Sequence, residues 1–307
     1  MIGVVTVNTN KMQPVRLVLG FSPGSASEQI ARAIAPAWSK CLGRSIEIEL
    51  RPGDNGVRAA CFVAKSAADG QTVFMATLGT HVLAYHLASK AQYDPLQDFA
   101  PVSLIAHAPL LLACHPSLPA GSTAELIDLA GRNPGELTYA TSAIGGAPHL
   151  AAELFQAMAG IQLSHVRYDE TEKLYDDLEA GAVSLSFNNI MSMLPRCKRR
   201  ALRALAVTGS SRSAAAPDLP TIAEAALPGY AVSNWLGIVA PRTTPHAVVY
   251  GMAETIATAV HSDNVARSLE SAGVTPCGST PDAFAKFMAK EIIRWGPVVA
   301  RFRDLTA

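Results

Sequence analysis

Apolar residues along this chain fall into short branched runs separated by stretches with a helical repeat. Val15-Arg-Leu-Val-Leu-Gly-Phe21 has the composition of a buried strand, and Ser22-Pro-Gly-Ser25 breaks it. Ser25 and Glu28 stand at capping-box spacing, in which the serine hydroxyl accepts one orphan amide and the glutamate returns to the other. Ile30, Ile34 and Trp38 then recur on one helical face, with a kink expected at Pro36 and a stop at Gly43. The same alternation predicts a strand over Ile46–Leu50, a turn at Pro52-Gly-Asp-Asn-Gly56, a helix over Val57–Ser66 and a strand over Thr72–Thr77. Strands alternating with helices imply a parallel sheet covered on both faces.

After Ala100 the pattern changes. Two nearly contiguous apolar segments, Val102–Ala106 and Leu110–Cys114, have the length of crossing strands and predict a passage between domains. A second alternating unit follows: a helix over Thr123–Gly131 with a further capping pair at Ser122 and Glu125, strand Leu137–Thr141, a glycine loop, helix Pro148–Ala159, strand Gln162–Arg167, helix Thr171–Ala180, strand Val183–Phe187 and strand Leu202–Thr208. Tyr230–Ala240 resembles a return crossing, and helices over Val248–His261 and Pro281–Arg301 are expected to pack back onto the first unit. No repeat at a fixed period occurs.

Length and charge narrow the class. At 307 residues the chain exceeds what one core usually fills, so two domains are expected. A hydrophobic fraction of 49% against 16% charged residues excludes a disordered chain. The 25 basic and 25 acidic residues cancel, which leaves no field to attract nucleic acid or an acidic membrane surface. No apolar run approaches the ~20 residues of a membrane span. The first dozen residues lack the charge, apolar stretch and cleavage site of a secretory leader, so the chain as written is expected in the cytoplasm. Cys41, Cys61, Cys114, Cys197 and Cys277 show neither a disulfide framework nor a metal-binding pair. Cys197 stands out because Arg196, Lys198, Arg199 and Arg200 surround it: either these cations lower the thiol pKa, or the stretch is a solvated basic turn, the reading the pattern favours.

Three strand-to-helix turns carry small residues and hydroxyls: Ser22-Pro-Gly-Ser-Ala-Ser27, Leu78-Gly-Thr-His81 and Thr141-Ser-Ala-Ile-Gly-Gly-Ala-Pro-His149. Such turns expose amides at helix N-termini, where partial positive charge and unpaired donors suit a carboxylate or phosphate. They also fall at the carboxyl ends of strands, where open α/β sheets bind ligands. No dinucleotide or phosphate-loop motif occurs, nor a Gly-x-Ser-x-Gly elbow, nor a His-Glu-x-x-His helix. His149 starts the helix after the glycine loop as a cap, a packing group or a ligand contact. Asp169 and Glu170, after Tyr168, either complement a helix dipole or take part in ligand contact or acid-base chemistry.

Read together, these strings resemble a known family. Pro14-Val-Arg-Leu-Val-Leu-Gly-Phe-Ser-Pro-Gly24 with Ala31-Arg32 is similar to the opening of the Bug receptors, the solute-binding proteins of tripartite tricarboxylate transporters. Arg51-Pro-Gly53, Asp69-Gly70, Gly79-Thr-His81, Tyr93-Asp-Pro-Leu-Gln-Asp-Phe-Ala-Pro-Val102, Tyr139-Ala-Thr-Ser142, His149-Leu-Ala-Ala-Glu-Leu-Phe155, Asp218-Leu-Pro-Thr221 and Leu227-Pro-Gly-Tyr230 follow in the same order. The resemblance covers nearly everything beyond residue 13.

What the resemblance implies is an α/β, two-domain periplasmic-binding-protein fold: each lobe a mainly parallel sheet flanked by helices, with two crossing strands as hinge. Residues 13–107 with 236–307 would form the first lobe and 108–235 the second. The cleft would hold a small organic acid, without metal or cofactor, and the closed form would be offered to a membrane permease. Phe21, Gly24, Ser25, Gly79 and Thr80 are the first-lobe contacts carried over; Ser142, Gly145, Gly146, Ala147 and His149 are those of the second, with Tyr168, Asp169 and Asn188 on the cleft wall. Export would put the protein in the periplasm. The competing reading is an enzyme on the same cleft, an isomerase, hydratase or hydrolase using Asp169, Glu170, His81 and His149 for proton transfer, or an intracellular sensor.

The chain departs from the family pattern at three points. Ser25 replaces a glycine, with Glu28 in place of an Asp; Tyr168-Asp169-Glu170 replaces Tyr-Lys-Gly; and Asn188 replaces an Asp. Inward-facing Asp169 and Glu170 would oppose a dicarboxylate, so either the ligand has one carboxylate and a donor-bearing remainder, or both side chains face solvent.

Overall fold

The computed structural model describes residues 13–86, 92–142 and 145–302. The first dozen residues, on which the reading of a missing leader rests, lie outside the described residues, as do Ala143 and Ile144 of the glycine loop. In chain order the elements are β1 (Val15–Leu19), α1 (Ala26–Leu42), β2 (Ile46–Leu50), α2 (Val57–Ala64), β3 (Thr72–Thr77), a wide helical turn over Gly79–Leu83 that runs into α3 (Ala84–His86), β4 (Phe99–Cys114), α4 (Thr123–Arg132), β5 (Thr138–Thr141), α5 (Ala147–Ala159), β6 (Ser164–Arg167), α6 (Thr171–Glu179), β7 (Leu185–Asn189), α7 (Ile190–Lys198), β8 (Arg203–Val207), α8 (Ile222–Ala225), β9 (Ser233–Pro241), α9 (His246–Val260), α10 (Asp263–Ser271), β10 (Thr275–Pro276) and α11 (Pro281–Phe302).

Two parallel triplets, β2-β1-β3 and β6-β5-β7, are joined by crossing strands that run antiparallel to them. β3 pairs with β9, β9 with β4, and β4 with β7. The two apolar segments expected as separate crossings are one sixteen-residue strand, β4. It pairs with β9 through Pro109 and with β7 from Leu110 onward, while β8 pairs with its last four residues and the short β10 with Ala106 and His107 at its middle. The helices over Ile190–Lys198 and Asp263–Ser271 have no counterpart in the sequence expectations. Their signal is weak for a physical reason: α10 buries only Val265 and Leu269, and α7 starts directly at the end of β7 and contains Pro195.

Packing follows strand alternation. Leu110, Leu112 and Cys114 of β4 enter the core under α5 and α11, whereas Leu111 and Ala113 enter a second core under α6 and α7. A third core packs α1, α9 and α10 on the opposite face of β1, β3 and β9. Each crossing strand is therefore covered on both faces, which explains its largely apolar composition.

β9 needs a small residue at Gly237, because a Cβ there would lie 2.1 Å from the buried Phe284 ring. Gly237→Ala is expected to lower stability by about 1–3 kcal/mol through overpacking. Gly251→Ala, on an exposed face of α9 with nothing within 4 Å of the new methyl, is expected to raise it by about 0.5–1 kcal/mol. Urea unfolding of the two variants checks both signs.

Candidate functional site

The carboxyl ends of β1, β3, β5, β6 and β7 all feed directly into helical turns, and these turns surround one cavity of about 90 Å³. Four α-helices begin in its wall. α1 contributes Ser25, Ala26 and Ser27; α5 contributes Gly146, Ala147 and Pro148; α6 contributes Thr171 and, one turn on, Tyr175; α7 contributes Asn189 and Ser192. The first amides of a helix have no acceptor within it, so four partly positive ends face the same space. The remaining wall is Phe21, Gly24, Thr77, Gly79, Ser142, Asn188 and Asn234. Among the described residues no Asp, Glu, Lys, Arg or His lines the cavity.

Local sequence fixes each turn. Ser25 caps α1, accepting the Glu28 amide at 3.4 Å, and adopts an ordinary extended conformation, so the serine that replaces glycine is unstrained. The capping pair closes one residue earlier than expected: Glu28 Oε2 accepts the Gly24 N–H at 2.7 Å, and Oε1 accepts from Arg32. The Gly24 N–H, and after it Arg32, holds the Glu28 carboxyl below its usual range. Across the gap Gly79 meets the glycine loop, where a Cβ would lie 3.5 Å from the Gly145 carbonyl oxygen. The two sides of the cleft touch there.

Several expected contact residues stand one layer behind the wall. Thr80 is buried, and its Oγ1 accepts the Thr77 N–H at 3.0 Å, pinning the turn that carries Gly79. His149 Nδ1 accepts the Gly145 N–H at 3.1 Å and so holds the glycine loop; the ring stacks on Tyr139 and His165. Burial pushes His149 down to about 4, so it stays neutral. Tyr168 donates its hydroxyl to Asp177 at 2.9 Å. Asp169 is 86% exposed and pairs with Arg167, and Glu170 is exposed beside it, so both carboxylates face solvent and the conflict with an anion does not arise.

The four groups of the enzyme reading are not gathered. His81 sits among Phe74, Tyr93 and Phe99, where burial lowers it to about 3, and none of His81, His149, Asp169 and Glu170 lines the cavity. Cys197 corrects a second expectation. Arg196 turns to Glu172 and Glu179, Arg199 to Glu179, and burial pushes the thiol up to about 11. Thr171, Tyr175, Asn189, Ser192 and Asn234 were not anticipated; the four-residue spacing of Thr171 and Tyr175 in a first helical turn is the one signal that could have marked them.

A larger cavity, about 380 Å³, lies on the other face of β9, where Ser233 and Trp235 alternate with the Asn234 of the smaller one. Arg294 in its wall pairs with Glu291 and Arg212 with Glu224, and none of the described α-helices begins in its wall. Size favours this cavity; the convergence of four helix N-termini favours the smaller one, which is the candidate site. Among the described residues no cluster of His, Cys, Asp or Glu could hold a metal, and no helix is long and apolar enough to cross a membrane.

The sequence model of the family described as "Tripartite tricarboxylate transporter family receptor" matches residues 30–303. Protein BugT of Bordetella pertussis is 32% identical over 296 residues, covering 96% of this chain and 91% of that protein. Among solved structures, an R. palustris protein with adipate is 38% identical with a TM-score of 0.89, covering 94% of this chain and 96% of its own. MatC from Rhodopseudomonas palustris, with bound malate, is 30% identical with a TM-score of 0.85, covering 94% of this chain and 99% of its own.

The buried imidazoles set an acid limit. A histidine that is neutral in the fold at about 4 but titrates near 6.5 when unfolded contributes its full stability above pH 6.5, and that stability is lost as pH falls toward 4. His149→Asn, which keeps an acceptor for the Gly145 N–H, is expected to flatten the fall by up to about 1.4 kcal/mol per pH unit. Urea midpoints between pH 7.5 and 4 measure this; an unchanged slope would mean that His149 protonates in the folded protein.

Proposed function

The chain belongs to the tripartite tricarboxylate transporter receptor family, and we propose that it captures a small organic acid between two lobes, residues 13–107 with 236–307 and residues 108–235. It is a solute-binding receptor of the periplasmic-binding-protein fold. The observation that carries the carboxylate assignment is the meeting of four helix N-termini on a cavity without ionised side chains. Each N-terminus favours an anion by about 0.3–1 kcal/mol at an exposed site and up to ~2 kcal/mol where partly buried. The lobe division is supported by β4, which leaves β9 and takes up β7 between Pro109 and Leu110. Relatives that hold adipate and malate agree with a ligand of this size and charge.

In this reading Phe21, Gly24, Ser25, Gly79, Ser142, Gly146, Ala147 and Asn188 meet the ligand, while Thr80, Gly145 and His149 shape the loops that do so. Closure brings Gly79 against the glycine loop and completes the wall from both sides. The closed complex would be offered to a membrane permease. Receptors of this family normally work in the periplasm, and the same location is proposed for this chain.

Calorimetry with adipate, succinate, malate, citrate and benzoate, alongside the uncharged diamide of adipic acid, tests the reading. At least one acid is expected to bind saturably and raise the melting temperature, with the diamide at least about tenfold weaker than the acid. Gly79→Leu, which fills the point of closest approach, is expected to lower that affinity by at least about tenfold, and Asp169→Asn with Glu170→Gln to leave it within about twofold. No heat with any acid from a folded sample, or turnover of a bound acid, would overturn the proposal.

A further inference from the structure

Three side-chain amides in the cavity wall form a ladder whose donors all point one way. Asn188 stands near the end of β7, Asn189 caps α7, and Asn234 sits on β9 opposite Ala108. The Asn189 backbone N–H donates to Asn188 Oδ1 at 2.9 Å. A backbone N–H can only donate, so this bond fixes the orientation of the Asn188 amide with its oxygen toward the chain and its nitrogen away from it. Asn189 Nδ2 donates to the same oxygen at a longer 3.5 Å, and Asn234 Nδ2 donates to Asn189 Oδ1 at 3.4 Å. Flipping Asn188 would set its nitrogen against two donors. The direction of the ladder, from β9 through α7 to β7, is therefore set by the backbone.

Its last donor is unused. Asn188 is 3% exposed and lines the cavity, and its Nδ2 has no hydrogen-bond partner among the described residues. Buried polar groups are nearly always paired, and an unpaired one is costly. Tyr175 and Ser192 share this part of the wall, but neither supplies the missing acceptor.

We propose that Asn188 is a specificity-determining residue: its Nδ2 donates to an acceptor oxygen of the bound acid, and the site discriminates against ligands that place an ammonium or another donor-only group there. The inference rests on the carboxylate reading of the cavity. It goes further in assigning the polarity of the partner atom, because the locked amide presents a donor and cannot turn to present an acceptor. The Asn234–Asn189 bond also ties the recognising group to the crossing strands, since it spans from β9 to the start of α7 beside the point where β4 changes partners.

The test uses two matched pairs, adipate with 6-aminohexanoate and succinate with 4-aminobutyrate, in which one carboxylate is exchanged for an ammonium. Helix dipoles alone would make the wild-type protein prefer the diacids, so the deciding measurement is how variants change that preference. Asn188→Leu is expected to weaken the better-bound diacid by about tenfold and leave the amino acid unchanged, and Asn188→Asp to weaken the diacid further and narrow or reverse the preference. A purely structural role would move both members of a pair together. Melting curves exclude unfolding; should Asn188→Asp not fold, Asn188→Leu carries the test alone. Wild-type preference in the folded Asn188 variants overturns the inference and leaves the carboxylate reading standing, whereas no binding of any acid by the wild-type protein removes both.

Discussion

Holding an anion without a cation is the constraint from which the rest of the molecule follows. A buried lysine or arginine would attract a carboxylate strongly, but it would be an unpaired charge whenever the site was empty. Helix N-termini avoid that difficulty: their partial charge belongs to the backbone and is already built into the fold. One N-terminus is a weak attractor, so several must meet, and a meeting of four requires several strands to end along one edge with each feeding a helix. Parallel strands with helical crossovers are the arrangement that does this. Two such triplets facing one gap, β2-β1-β3 and β6-β5-β7, then require strands that pass between them, the role of β4 and β9.

That logic explains why the architecture was legible in the sequence. β2 and β3 match their expected limits: β3 is a buried apolar run, β2 alternates branched apolar residues with glutamates, and each is bounded by a turn or cap. The crossing was read as two strands because His107 and Pro109 interrupt the apolar pattern. In the fold Pro109 lies where β4 passes from one partner to the next, a place where a missing donor is tolerated, and the strand continues through it. α7 and α10 escaped notice for a different reason: each is only nine residues long and buries two or three apolar side chains.

The site was legible at its turns and not in its walls. Glycine and hydroxyl residues at strand ends announce exposed amides, and the turns at Ser25, Gly79 and Gly146 do line the cavity. Thr80 and His149 belong to the same turns, yet their side chains point back to bond the backbone that the ligand would meet. Spacing along the chain could not distinguish these two directions. Ser192 and Asn234 carry no local mark, because they reach the cavity through the way helices and crossing strands pack.

The departures of this chain from its family pattern leave the wall uncharged. Ser25 supplies a hydroxyl where its extended backbone makes a glycine unnecessary. Asp169 and Glu170 stand in solvent beyond the cavity. Asn188 puts an amide donor where the pattern has a carboxylate, so of the two changes inside the wall Ser25 adds no charge and Asn188 removes a negative one. A cavity whose anion affinity comes from partial charges tolerates no buried carboxylate facing the ligand, since one full negative charge would outweigh several helix ends. The same reasoning gives β9 a double role. Asn234 faces the cavity, while Trp235, one residue on, packs edge-on against Phe284 and Phe287 of α11 on the other face. The strand is thus fixed on one face by aromatic packing and joined on the other to the amides of the wall.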